Sequence, residues 1–236
     1  MNRKLTAGML IAAAVLMTAA FTALGTVFNY PDILSQPVEE VLTAFRAHQT
    51  AVIGWFTLLA ASAALFAPIA VGVGRLSTSP LMRAAVPIGI AAAGVQAIGL
   101  LRWPLLVPGY AADATSTDPA VAAAARQSFT TAHEILGQLV GETFGYLLTA
   151  AWTLLILAAL RRTIAGVWFL VVGTVSAVLI LGGVLSPLHL PVVDTANFIG
   201  YLLWSAWLVV FAVLLLRRPR AATHTPTPPA LTGSRS

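Results

Sequence analysis

The chain has no cysteine, so metal or redox chemistry must fall to histidine and carboxylate. Three of its histidines share a spacing. His48, His133 and His189 each lie about 27 residues from an arginine (Arg75, Arg161 and Arg162 in turn), which in α-helix is about 40 Å. The hydrocarbon of a bilayer is about 30 Å thick, so helices crossing one would carry all three rings to the same outer headgroup level. Imidazoles converging there would suit a divalent metal such as zinc, copper, iron or nickel. Glu134 or Asp194 would complete the shell or orient a ring. His48 facing His133 would instead suit a bis-histidine haem. The plainer reading is a set of interfacial histidines bonded to loop backbone or water.

A second group of polar residues sits lower. Arg102 is 19 residues from Arg83, and Glu142 is 19 residues from Arg161. Both therefore belong about 28 Å above the inner charge layer, at the outer edge of the hydrocarbon. An isolated charge at that depth is costly, and pairing offsets part of the cost. The expectation is an Arg102–Glu142 ion pair, against the alternative of Arg102 reaching outward beside Trp103. Glu134, Gln138 and Glu142 follow one another at helical spacing, with Gly137, Gly141 and Gly145 as a ridge beside them. A small-xxx-small ridge lets another helix approach closely. Gln96, Arg102, Glu134, Gln138 and Glu142 together form the predicted ligand or ion-pair pocket.

The elements that must position these residues follow from composition. Of 236 residues, 58% are hydrophobic and only 9% charged, with a mean hydropathy of +0.89. Soluble domains carry about 25% charged residues, so this chain cannot cover its own surface in water. Six apolar stretches are long enough to span a bilayer: 5–28, 50–73, 84–103, 136–160, 164–186 and 197–216. The first is longer than a signal-peptide core of about 7–15 residues and reads as a retained span. The prediction is an all-α bundle of six transmembrane helices over 1–216, with 217–236 a disordered basic cytoplasmic tail.

Charge sets the orientation. With the N-terminus inside, Arg3, Lys4, Arg75, Arg83, Arg161, Arg162, Arg217, Arg218, Arg220 and Arg235 are cytoplasmic, leaving Arg46, Arg102 and Arg126 outside. All eight acids fall on the outer side. The net charge of +5 invites a nucleic-acid reading, but these basic residues end apolar runs. The expected partner is the lipid bilayer, not nucleic acid. Two outer segments, after Pro37 and after Pro119, carry apolar faces (Val38, Val41, Leu42, Phe45; Val121, Ala125, Phe129) that continue into spans. The chain thus reads as three same-orientation hairpins with amphipathic outer extensions. Trp103, Trp152, Trp168 and Trp204 read as interfacial belt or packing residues.

The run Gln96-Ala97-Ile98-Gly99-Leu100-Leu101-Arg102-Trp103-Pro104, then Thr131-Ala132-His133-Glu134 with Gly137, Gly141 and Glu142, resembles a group of bacterial multi-pass membrane proteins known only as a domain of unknown function (DUF4386-like). The resemblance covers nearly the whole chain except the tail. It implies a bacterial cytoplasmic membrane and brings no activity. Function therefore rests on the residues. The leading reading is an outer-leaflet pocket for a metal, haem or small ligand. The alternatives are a structural or stress-related membrane protein, and a small transporter or proton-handling protein using Glu142 and Arg102. Phosphate-loop, hydrolase-triad and zinc-protease patterns are missing from the sequence, which leans away from an enzyme.

Overall fold

Helix starts are set by small polar side chains that accept from an otherwise unpaired first-turn N–H. Asn2 Oδ1 accepts from Lys4 N at 3.2 Å, Ser79 Oγ from Met82 N at 3.2 Å, and Asp118 Oδ1 from Ala120 N at 2.8 Å. Pro80 and Pro119 follow the last two, at helix positions that need no donor. The computed structural model describes residues 2–162, 166–188 and 190–217, and within them six helices are long and apolar enough to cross a membrane. His189, Arg218, Arg220, Arg235 and the expected tail from 218 lie outside the described residues.

The first span is α1 (Arg3–Phe28), and a short outer helix, α2 (Val38–Ala47), leads to the second. That span is α3 (Gln49–Ala64) continued by α4 (Phe66–Gly74). The third is α5 (Pro80–Leu105) continued by α6 (Val107–Asp113). The fourth runs unbroken through α7 (Pro119–Ala132), a π-helical segment (His133–Phe144) and α8 (Gly145–Leu160). The fifth is α9 (Val167–Gly182) with a 3-10 turn after it, and the sixth is α10 (Pro191–Arg217). Both outer helices feed into spans, as their apolar faces predict. The third and fourth helices are longer than the apolar runs because Ser79 and Asp118 cap them early.

The six spans form a closed ring in chain order. Each packs on its neighbours, and α1 closes the ring against α10. The outside is apolar: Ile98, Leu105, Leu139, Val178 and Leu202 are all exposed, a belt that only lipid would cover. Trp168 belongs to that exterior at 81% exposure, whereas Trp103, Trp152 and Trp204 are packing residues inside.

The half of the ring nearer Arg75 and Arg161 is filled across its middle. Phe66 of the second span meets Trp152 of the fourth at 4.5 Å and Trp204 of the sixth at 5.4 Å, and Trp152 meets Trp207 at 6.2 Å. Edge-to-face pairs of this kind contribute about 0.5–1.5 kcal/mol beyond their burial. Lipid is as apolar as these side chains, so packing and interhelical hydrogen bonds hold the spans together. Ser62 Oγ donates to Ala13 O at 3.0 Å, Trp204 Nε1 to Thr153 Oγ1 at 2.9 Å, and Trp207 Nε1 to Phe169 O at 3.1 Å.

The opposite half is covered by a cap of α2, α6 and α7. Val41, Leu42 and Phe45 of α2 are buried against Trp103, Val107 and Phe129. Arg46 Nη1 donates to Ala111 O at 3.0 Å, and Arg126 pairs with Glu39 at 3.2 Å.

Candidate functional site

The site is built on the contact between α5 and the fourth span. A Cβ added to Gly99 would sit 2.6 Å from Gly141 Cα and 2.9 Å from Leu136 O, so two backbones touch where neither residue has a side chain. One turn toward the cap, Gly137 is filled by Arg102: a Cβ there would lie 2.8 Å from the guanidinium carbon. One turn the other way, Gly145 faces Gln96, whose Nε2 donates to Thr149 Oγ1 at 2.8 Å. The predicted glycine ridge is therefore the seam of the site. Gly137 and Gly141 of the seam fall within a twelve-residue stretch of i→i+5 hydrogen bonding (His133–Phe144), a geometry frequent at functional sites.

Arg102 is buried, at 6% exposure, and held from several sides. It donates to Gly99 O, lies over the Trp103 ring at 5.4 Å, and places Nη2 3.4 Å from His133 Nδ1. A guanidinium has only donors, so Nδ1 is the acceptor and the neutral ring carries its proton on Nε2. His133 in turn stacks on Phe129 with ring centroids 6.1 Å apart.

Glu142 is not the partner of Arg102. The ion pair formed within 4.0 Å among the described residues is Arg126–Glu39, and the Glu142 side chain makes neither an ion pair nor a hydrogen bond there. The expected Arg102–Glu142 pair is replaced by backbone and imidazole contacts, because the guanidinium is seated on Gly137 and drawn toward Gly99 and His133. Glu142 still lies within electrostatic reach of Arg102, and Asp194 is near it too.

Three tyrosines lie within electrostatic reach of Glu142. Tyr146 and Tyr201 have ring centroids 5.9 Å apart, Tyr201 meets Trp204 at 6.2 Å, and Tyr201 shares a side-chain hydrogen bond with Thr149. Tyr30 comes down from the turn after α1, where left-handed Asn29 (φ 51°) ends the helix and Tyr30 N donates to Leu24 O. Its hydroxyl is pushed up to about 12, first by burial and then by the Glu142 carboxylate, with Arg102 acting in the other direction. Tyr30, Glu142, Tyr146 and Tyr201 are enclosed by protein yet each keeps some accessible surface. The Tyr201–Trp204–Phe66 aromatic layer lies beside this group.

Glu134 and Gln138 lie apart from this group. With His133, Phe129, Val41 and Gln36 they line a cleft of about 350 Å³ between the cap and the fourth span. The predicted pocket thus divides into two: Gln96, Arg102 and Glu142 inside, Glu134 and Gln138 in the cleft. The ridge from Glu134 through Gln138 to Glu142 links them.

Of the predicted metal set, His48 and His133 lie among the described residues and His189 outside them. His48 is exposed where α2 ends, because the chain leaves helical geometry there (φ −129°, ψ 26°) and turns the ring away from the face that buries Phe45. His133 meets a guanidinium through Nδ1, a cation that opposes any metal ion beside it. No three histidine or carboxylate side chains converge among the described residues. The equal-height argument also fails for His133, since i→i+5 turns hold more residues and rise less per residue than α-helix.

Sequence reasoning missed Tyr30, Tyr146 and Tyr201. The one signal available was the spacing of Tyr146, four residues after Glu142 and so on the same side of its span. Trp103 Nε1 and Trp152 Nε1 are buried without a hydrogen-bond partner. No curated protein and no solved structure matches this chain. A family model described as Domain of unknown function (DUF4386) matches residues 5–212, which takes in the seam, the cleft, Glu142 and its tyrosines, and the chain belongs to that family.

Proposed function

We propose that this chain is a membrane-embedded binding protein in which a chamber around Glu142 receives a small polar molecule. The observation that carries the reading is Glu142. A carboxylate enclosed by protein without a hydrogen bond or ion pair destabilises the fold and serves no packing purpose. Such groups persist at sites where a ligand completes them. The aromatic layer of Phe66, Trp152, Trp204 and Trp207 beneath the chamber supports binding over passage across the membrane. The split of basic residues supports an orientation in which the cap faces outward and the N-terminal end of α1 and the C-terminal end of α10 face the cytoplasm of a bacterial cell.

The test separates a binding residue from a structural one. If Glu142 serves a ligand, Glu142→Met in protein purified in mild detergent raises the unfolding temperature, by about 2–4 °C per kcal/mol of strain removed. A lowered unfolding temperature would make Glu142 part of the scaffold and end the proposal. A thermal-shift panel of small anions, cations and neutral polar compounds then identifies ligands that stabilise the wild type and leave Glu142→Met unmoved.

A further inference from the structure

We infer that the cleft between the cap and the fourth span binds a zwitterionic headgroup, a phosphate joined to a primary ammonium, with the phosphate on His133 and Gln138 and the ammonium on Glu134. This site is separate from Glu142 and stands without the reading above. The cleft holds about 350 Å³, within the range of small-molecule sites, about 300–1,000 Å³. Its imidazole is set in one orientation, parallel to the Phe129 ring to within 3°. Nδ1 takes the Arg102 contact at 3.4 Å, so the proton is on Nε2, and that edge is the one left to the cleft. Among the described residues Nε2 has no partner. Behind the ring, Arg102 is 6% exposed and has no carboxylate within 4.0 Å among the described residues. A buried cation without a counter-ion favours an anion at the nearest open donor, and that donor is His133 Nε2–H.

Helix geometry adds a second donor. His133 and Gln138 are five residues apart, which in α-helix would set them about 140° apart around the axis. The i→i+5 hydrogen bonding from His133 to Phe144 stacks them on one side instead, and both line the cleft. A tetrahedral phosphate has acceptors enough for both. Glu134 lines the same cleft, is exposed, and has no side-chain hydrogen bond or ion pair among the described residues. Its carboxylate repels a bare anion and attracts an ammonium a few bonds away from one. The facing wall brings apolar Leu34, Val38 and Val41. The height of the cleft suits a lipid. The apolar stretch of the fourth span starts at 136, so His133 and Glu134 stand at its edge, where headgroups lie. Ile135 and Leu139, next to Glu134 and Gln138 in the chain, are 50% and 49% exposed and set acyl-chain surface beside the cleft. The ethanolamine headgroup of a phospholipid and its water-soluble counterpart share this chemistry.

The probes are short-chain phosphatidylethanolamine, short-chain phosphatidylglycerol and glycerophosphoethanolamine, titrated into the full chain in mild detergent at neutral pH. Tryptophan fluorescence follows them, because Trp103 packs on Phe129 at 6.1 Å. Phosphatidylethanolamine should bind saturably and at least about 10-fold more tightly than phosphatidylglycerol, whose phosphate lacks the ammonium. Glu134→Gln, at an exposed position, should abolish that preference. His133→Phe keeps the stack and loses the N–H, and should weaken both phospholipids by about 10-fold; Gln138→Met should act in the same direction. Glycerophosphoethanolamine binding as tightly as the phospholipid would assign a water-soluble ligand, and tighter phospholipid binding a lipid. Equal binding of the two phospholipids, a preference that survives Glu134→Gln, or affinity unchanged in both His133→Phe and Gln138→Met would overturn the assignment. Saturable binding by none of the probes would overturn it also.

Discussion

Substituting Gly99 by alanine tests whether the α5 seam is as close as the backbone contacts imply. A Cβ at Gly99 falls 2.6 Å from Gly141 Cα and 2.9 Å from Leu136 O, both backbone atoms that cannot rotate away. Ordinary carbon contacts lie at about 3.5–4.0 Å, so the helices must part by roughly 1 Å. Overpacking of this kind costs about 1–3 kcal/mol. Alanine also gains about 1 kcal/mol over glycine in a helix interior, which would mask part of the loss. Gly94→Ala supplies the control, because Gly94 lies in the same helix with nothing within 4 Å of an added Cβ. The propensity gain then cancels, leaving a packing difference of about 1–3 kcal/mol. At about 2–4 °C per kcal/mol this becomes an unfolding temperature roughly 2–12 °C lower for Gly99→Ala than for Gly94→Ala. Gly141→Ala should fall between them, since its Cβ meets Gly99 Cα and Leu136 O at 3.1 Å. Thermal unfolding in mild detergent, followed by intrinsic fluorescence, gives the ranking. Equal midpoints for Gly99→Ala and Gly94→Ala would show that the seam is not in contact and refute the reasoning.

The indole N–H groups predict a contrast: Trp207→Phe breaks a 3.1 Å bond to Phe169 O and Trp152→Phe breaks none, so Trp207→Phe should be the less stable by about 1 kcal/mol in matched unfolding curves. Tyr30 should give an alkaline signature. Its hydroxyl holds its proton to about 12 when folded and about 10 when unfolded, so the folded state binds more protons between those values and stability falls as pH rises through that window. The loss is at most about 2–3 kcal/mol, and a Tyr30→Phe variant with the same slope as wild type between pH 10 and 12 would contradict it. For orientation, reporter fusions at Arg162 and after Leu216 should read cytoplasmic and one at Asp118 external; an external reading at Arg162 would invert the assignment.

Spans and seam were legible because both are written in residue type. A lipid-crossing helix must be apolar for about 20 residues, and a backbone contact between helices must be made by residues without side chains, as at Gly99 and Gly141. Charge position was legible only in part. Arg46, Arg102 and Arg126 stood out as basic residues on the wrong side, and each has a partner: Ala111 O, Gly99 O with His133, and Glu39. Which partner Arg102 takes was not legible, since a backbone carbonyl leaves no mark in the sequence. His48 was misread because its helix ends at that residue, so its ring no longer follows the face that buries Phe45. The tyrosines near Glu142 were hidden by their amphipathic character: nothing in residue type separates a tyrosine enclosed by protein from one at the lipid–water boundary.

Between Phe129 and Trp152 the fourth span keeps one line of residues against α5. Phe129 meets Trp103, His133 and Gly137 meet Arg102, Gly141 meets Gly99, Gly145 meets Gln96, and Trp152 meets Gly89. Four-residue steps in α-helix advance about 40° each, so Phe129 and Gly145 would stand about 160° apart, on opposite sides. The i→i+5 stretch from His133 to Phe144 lags where α-helix would advance and keeps the line straight. It acts as a phase corrector, joining a cap helix and a membrane helix whose rotational settings would otherwise conflict. Deleting a single residue there would turn one half against the other by about 100°, breaking the grip of Phe129 on Trp103 at one end or of Trp152 on Gly89 at the other. The register of this one stretch thus couples the closure of the cap to the packing of the membrane core.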